Sequence, residues 1–220
     1  MAYGLHWEWR GFGKLSDRNR ARITQLRSIG HWTRKIRDRY LWYPGCRANV
    51  KLRSWGASEG LKFKRLVEED KELKLQLWLE RRDEDYAFPV EPNVVRQLAH
   101  VLEIELAQFD LAANSEELVD RLRNVAGQVR TVVVEKSRRT YVWQQGDERV
   151  LVDLAEIHSP VATTSVGLEN LSGLSESSSR DAIGAARKSV VAARTSLELP
   201  AGLETLSYVE ALSRWVAREG

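Results

Sequence analysis

"ANVKLRSWGASEGLKFKRLV", residues 48–67, alternates on both sides of a turn signal. Val50 and Leu52 fall on one face of the first segment, Lys51 and Arg53 on the other. The second segment sets Lys62 and Lys64 against Leu61, Phe63 and Arg65. A period of two is that of a β-strand, and GASEG (56–60) between the segments predicts an antiparallel hairpin. One charged strand face ordinarily meets water. What decides the fold is whether other strands share the habit.

They do. In "LHWEWRGFG" (5–13), His6, Glu8 and Arg10 alternate with Trp7 and Trp9 before a glycine-flanked bend. "LKLQLWLE" (73–80) sets Lys74, Gln76, Trp78 and Glu80 against Leu73, Leu75, Leu77 and Leu79. "TVVVEKSRRTYVW" (131–143) carries Lys136 and Arg138, and "RVLVDLAEI" (149–157) carries Asp153, with QQGDE between them as a second hairpin signal. "VATTSVGLEN" (161–170) carries Glu169, and "RYLWYPG" (39–45) reads as a short strand ending at Pro44-Gly45. Helical spacing predicts helices in "PNVVRQLAHVLEIELAQF" (92–109), with Pro92 in the first turn, and in "EELVDRLRNVA" (116–126), with Ser115 at its start. An alanine-rich helix over 180–198 follows a serine-rich linker at 172–179, "LSYVEALSRWV" (206–216) closes the chain with a helix, and "SDRNRARITQLR" (16–27) is a helix or a long loop.

Composition bounds what such strands can build. The chain has 220 residues, 43% hydrophobic and 30% charged, enough for one domain or two small ones with a proper core. No apolar run approaches the roughly 20 residues of a membrane span, and the N-terminus is too polar for a signal peptide. The single cysteine, Cys46, excludes an internal disulfide and a cysteine-rich zinc cluster, so a cytoplasmic location is expected. His31, His100 and His158 have no spacing that suggests a site. Charge is lopsided: residues 1–65 hold 16 Lys and Arg against 4 Asp and Glu, and the rest hold 18 against 27. A basic segment facing an acidic remainder suggests an anion partner, either nucleic acid or a compact polyphosphate, or simply a solvated surface.

An open sheet backed by helices would leave these charges in solvent. A closed barrel would gather them in one lumen, where charges cannot stay unpaired. Such a lumen calls for an anionic guest and for a cation held by its acids.

The order of these segments resembles that of the CYTH or triphosphate tunnel proteins, which include thiamine triphosphatases, inorganic tripolyphosphatases, class IV adenylyl cyclases and fungal RNA triphosphatases. Residues 6–10 sit where that family has Glu-x-Glu-x-Lys, "NVKLR" and "LKFKR" look like its paired basic strands, and "VEKSRRTYVW" with "RVLVDLAEI" is similar to its Lys-x-Arg hairpin and following acidic strand. "SVGLEN" stands at its last acidic pair and "SYVEAL" at its closing helix. The resemblance spans residues 1–220 as one domain. It implies an α+β fold, mainly antiparallel β: a closed or nearly closed eight-stranded tunnel barrel with flanking helices. It further implies a soluble triphosphatase that binds tripolyphosphate or an organic triphosphate with Mg or Mn. Arg10, Lys51, Arg53, Lys62, Lys64, Lys136 and Arg138 would bind phosphate, Glu8, Asp153 and Glu169 would hold metal, and Glu8, Glu80 and Asp153 would act in catalysis.

Three positions depart from the pattern. His6 stands at the first Glu of the signature, Gly167 at the first Glu of the last acidic pair, and Ala155 where an Asp is common. His6 suits Zn or Mn better than Mg²⁺, and Arg10 in the usual lysine slot binds phosphate but is a poor proton donor. Two other readings therefore stay open: a catalytically weak or inactive polyphosphate- or nucleotide-binding tunnel, and a basic nucleic-acid-binding domain. For the last, Trp7, Trp9, Trp42 and Trp55 are the stacking candidates, although Trp7 and Trp9 lie opposite the charged face. No segment reads as an adenine pocket.

Overall fold

In the computed structural model, which describes residues 3–29, 35–55, 58–81, 85–105 and 110–218, the alternating segments are strands that close on one another. The elements run β1 (Tyr3–Gly13), α1 (Asp17–Thr24), β2 (Arg27–Ser28), β3 (Ile36–Trp42), β4 (Asn49–Trp55), β5 (Ser58–Asp70), β6 (Leu75–Arg81), β7 (Tyr86–Ala87), α2 (Pro92–Val101), α3 (Ser115–Val125), β8 (Arg130–Gln145), β9 (Glu148–Ser159), β10 (Thr163–Asn170), α4 (Arg180–Ser196), β11 (Glu204–Thr205) and α5 (Tyr208–Arg218). The class is α+β, with a mainly antiparallel sheet and five flanking helices.

Eight strands form the ring, in the order β10-β9-β8-β3-β4-β5-β6-β1, and β1 returns to β10. The hairpin that opened the sequence is β4–β5, with Lys51 opposite Lys62 and Val50 opposite Phe63. Residues 56 and 57, at the tip of its expected turn, lie outside the described residues, as does His31. The ring closes where Glu8 faces Glu169 and Arg10 faces Gly167. Closure pairs every inner strand on both sides and satisfies the backbone ladder without edges.

The alternation now has a physical cause: odd and even positions face different surroundings. Trp7, Trp9, Leu75, Leu77, Val152 and Val166 point outward into a core covered by Ala186, Val190 and Ala193 of α4 and by Leu197 at its C-terminal cap. The Trp7 indole donates to the Ile183 carbonyl at 3.0 Å. A second core joins Val50, Leu52, Leu61 and Phe63 to Val94, Val95 and Leu98 of α2 and Leu118, Val119 and Leu122 of α3. Opposite-facing residues on the same strands look into the ring.

The helices differ in detail from their sequence patterns. The α2 helix starts at Pro92 as expected but stops at Val101, with Glu103 at a φ of 55°, and residues 106–109 of the expected helix lie outside the described residues. The cap of α3 is Asn114, whose side chain accepts from the Glu117 amide at 2.9 Å. Ser115 is instead buried and accepts from Arg39 at 2.6 Å. Of the serine-rich linker, Ser179 caps α4. Among the described residues, no helix is long and apolar enough to cross a membrane.

Candidate functional site

The inward faces enclose a cavity of about 280 Å³. Arg10 from β1, Lys51 and Arg53 from β4, Lys62 and Lys64 from β5, and Lys136 and Arg138 from β8 all line it. Glu8, Glu80, Asp153 and Glu169 line it too, so the seven expected phosphate ligands and the four expected acids reach one space, with Gly167 beside them.

The cavity is not a purely basic hole. Each of the seven cations has a carboxylate within 4.0 Å. Around Asp38 of β3 the match is uneven. Its carboxylate lies 3.0 Å from Lys136, 3.1 Å from Arg53 and 3.7 Å from Lys51, and the residue is 0% exposed. Burial would raise its pKa, but Lys51, Lys136 and Arg53 together hold the carboxyl far below the usual range. Arg53 has a second acid, Asp85, at 3.9 Å, but Lys51 and Lys136 share Asp38 alone among the described ion pairs. Lys51 carries the deficit: burial first, then Arg53, Lys136 and Lys62, depress its ammonium well below the ordinary lysine range despite Asp38. Lys136 moves the other way, because Tyr208, Tyr40 and Asp38 outweigh its burial. Its ammonium lies 4.7 Å from the Tyr208 ring centre, and that ring stacks on Tyr40 at 5.4 Å.

Across the ring the proportions reverse. His6 is 1% exposed, and its Nε2 lies 3.9 Å from both Glu8 and Glu169 while Nδ1 lies 3.9 Å from Glu80. Neither ring nitrogen has a hydrogen-bond partner. The ligand-capable atoms of His6, Glu8 and Glu169 all fall within 4.8 Å of one another. Glu8 also bonds Lys64, and it accepts from Arg10 Nε at 2.8 Å. Burial opposes ionisation of Glu8, but Lys64, Arg10 and His6 hold its carboxyl well below the usual range. Glu80 is likewise lowered by His6, Lys64 and Lys62 against its burial.

Between these groups, Asp153 faces guanidinium groups: Arg138 at 2.7 Å and Arg10 at 3.7 Å. Gly167 has a definite reason to lack a side chain. A Cβ there would lie 2.5 Å from Arg10 Nη2. The space that a carboxylate at position 167 would use is filled by the Arg10 guanidinium, which also donates to Ser165 at 3.1 Å. Arg10 and Gly167 are thus one feature, a larger head on one strand and a missing side chain on its neighbour.

Asp38, Tyr40, Asn49 and Tyr208 belong to the cavity or its charge network but were not singled out in the sequence. Asp38 sits among basic residues in "RKIRDR", and Tyr208 begins a helix whose spacing reads as core. As for stacking surfaces, Trp7, Trp9 and Trp42 are buried in the outer cores. Among the described residues, the exposed large hydrophobics are Val67, Leu111 and Val125, none aromatic.

No family model matches the chain, and no curated protein matches it in sequence. Among solved structures it is similar to a conserved hypothetical protein from Pyrococcus furiosus, at 12% identity over 93% of this chain and 98% of that one, with a TM-score of 0.51. A Pyrococcus horikoshii protein is similar at 12% identity over 92% and 98% (TM-score 0.48), and a candidate adenylate cyclase from Bacillus halodurans at 15% over 91% and 93% (TM-score 0.45). At these identities the likeness concerns the fold.

Proposed function

We propose that the ring binds a triphosphate, inorganic or organic, and hydrolyses it with a divalent metal, as the CYTH proteins that the sequence resembles do. The observation that carries this reading is the convergence of seven cations from four strands on one cavity that also holds a cluster of carboxylates. A chain of phosphates offers many oxygens to several cations at once, and charge-assisted hydrogen bonds to a desolvated phosphate are the strong kind. Lys51, Arg53 and Lys136 would take one end, where Asp38 leaves positive charge in excess. Arg138, Arg10, Lys62 and Lys64 would hold the rest and keep the phosphates extended.

The donor set fits a metal on the opposite side. Glu8 and Glu169 supply oxygens, and the orphaned, buried His6 nitrogens lie beside them. A bound divalent ion supplies charge neutralisation on phosphate oxygens and an activated water. Asp153, engaged by two guanidiniums, would position Arg138 and Arg10 on the substrate. Glu80, which faces His6 and Lys62, would accept a proton from water at the metal side.

A second reading, a slow or inactive polyphosphate-binding tunnel, is favoured by Arg10. It is tied to Glu8, Asp153 and Ser165 and stays protonated, so it lends charge but no proton. Phosphate release from tripolyphosphate, thiamine triphosphate and ATP, each with Mg²⁺ and with Mn²⁺, separates the two. Turnover at ordinary enzyme rates, roughly 1–1000 s⁻¹, supports the hydrolase. A thermal shift by tripolyphosphate without turnover supports the binder, and no shift at millimolar ligand removes both.

A further inference from the structure

We infer that His6, Glu8 and Glu169 form a mixed nitrogen–oxygen site that takes a transition ion, Mn²⁺, Co²⁺ or Zn²⁺, in preference to Mg²⁺. The inference starts from an anomaly of burial. An imidazole 1% exposed with neither nitrogen hydrogen-bonded loses its hydration for nothing. Three carboxylates surround it at 3.9 Å, beyond hydrogen-bond reach, so both ring nitrogens stay unsatisfied in this arrangement. Spacing of that kind is what an ion between the groups would use. Two ligands each about 2.0–2.2 Å from one ion are at most about 4.4 Å apart. Three ligands cannot all lie opposite one another, and at tetrahedral angles they sit about 3.3–3.6 Å apart, so ligand atoms that lie within 4.8 Å here must close by up to about 1 Å around an ion.

The two ring nitrogens face different partners, which assigns their roles. Nε2 faces Glu8 and Glu169, the other two ligands. Nδ1 faces Glu80 at 3.9 Å, the carboxylate to which its N–H would donate once an ion draws the ring and its Nε2 lone pair into place. Such a carboxylate–imidazole–metal arrangement raises the basicity of the nitrogen. An imidazole ligand favours Co and Zn ions most and Mn²⁺ least of the three, whereas Mg²⁺ prefers an all-oxygen shell with retained waters.

The inference rests on the ring interior being the site proposed above, but its test uses metal alone, so the two are judged separately. Wild type, His6→Gln, His6→Glu and Glu169→Gln are titrated calorimetrically with Co²⁺, Zn²⁺, Mn²⁺ and Mg²⁺ in phosphate-free buffer, and Co²⁺ is followed by its visible d–d absorption. We expect one tight site per chain in wild type, with Co²⁺ and Zn²⁺ bound at least tenfold tighter than Mg²⁺. The changes His6→Gln and Glu169→Gln should each weaken Co²⁺ at least tenfold, and His6→Glu should narrow or invert the gap to Mg²⁺. If His6→Gln fails to fold, His6→Glu and Glu169→Gln carry the same comparison. Equal affinities for Mg²⁺ and Co²⁺ in wild type would overturn the inference. So would a cobalt spectrum unchanged in the His6 variants, which would place the ion on another histidine such as His100 or His158. Tight Co²⁺ binding through His6 without triphosphate turnover would uphold this site and remove the hydrolase reading.

Discussion

The two sides of the cavity are built from the same residue types in opposite proportion. At β3 a single carboxylate, Asp38, meets Lys51, Arg53 and Lys136. At β1 a single imidazole, His6, meets Glu8, Glu80 and Glu169. The two strands lie four apart in either direction round the ring, so these sets face each other from opposite walls. One wall is short of negative charge and the other is rich in it, with Arg10 and Lys64 bonded to Glu8 on the rich side. A near-neutral interior can thus be strongly polar, which suits a guest that brings phosphate to one wall and its counter-ion to the other.

The largest effect should come from breaking the Asp38 side. Asp38→Ala leaves Lys51 and the buried Lys136 without their carboxylate and Arg53 with only Asp85, and should cost about 3–5 kcal/mol in urea unfolding. The sign of its pH dependence follows from a folded-state pKa depressed below the unfolded one. That stability is present at pH above the ordinary carboxylate range and is lost as pH falls below about 5. Wild type should weaken steeply on acidification, and Asp38→Ala less so.

Next in size is the functional contrast. Arg138→Ala should weaken metal-free tripolyphosphate binding, measured by calorimetry, by about 1–3 kcal/mol, the value of a charge-assisted contact. Glu169→Gln should leave that binding intact or stronger. Equal losses in both would dissolve the distinction between the walls.

Gly167→Ala places a methyl against the Arg10 guanidinium, and overpacking of this kind should cost about 1–3 kcal/mol. In an Arg10→Ala background the methyl meets open space, so the combined loss should fall short of the sum of the single losses. Strict additivity would show that the two positions are independent.

The smallest effect has the opposite sign. Lys51→Met removes a buried ammonium whose protonation the fold disfavours, and should stabilise the apo protein by up to about 1 kcal/mol at pH 7 while weakening tripolyphosphate. Because the folded pKa lies below the unfolded one, the gain is fullest where wild-type Lys51 is protonated. It fades as pH rises toward the free-lysine value of about 10.4. Melting curves at neutral and alkaline pH check both points.

Much of this wall-by-wall arrangement was legible in the alternation. A period of two assigns Lys51 and Lys62 to the face opposite Val50 and Phe63 whatever the tertiary context, and closure sends that whole face inward. Asp38 escaped because one acid among Arg34, Lys35, Arg37 and Arg39 looks like a solvated charge until the partners on β4 and β8 are known. Gly167 read as a lost carboxylate because sequence shows the gap but not the Arg10 head that occupies it from the next strand. The early stop of α2 and the entry of Tyr208 into the cavity are likewise tertiary outcomes of segments whose spacing reads simply as helix.

The seam between β1 and β10 gives the protein a folding order. The Arg10–Ser165 bond there spans 155 residues, and His6 and Glu8 meet Glu169 only when that seam shuts. Closure of so long a loop is slow, since its entropy must be lost before the contacts form. Until then β1 waits as an open edge carrying Trp7 and Trp9, a sticky strand whose alternate charges at positions 6, 8 and 10 discourage premature pairing with other chains. A growing chain therefore holds its seven cations before its last ring strand is made, but gains Glu169, and with it the full His6–Glu8–Glu169 group, only with that strand.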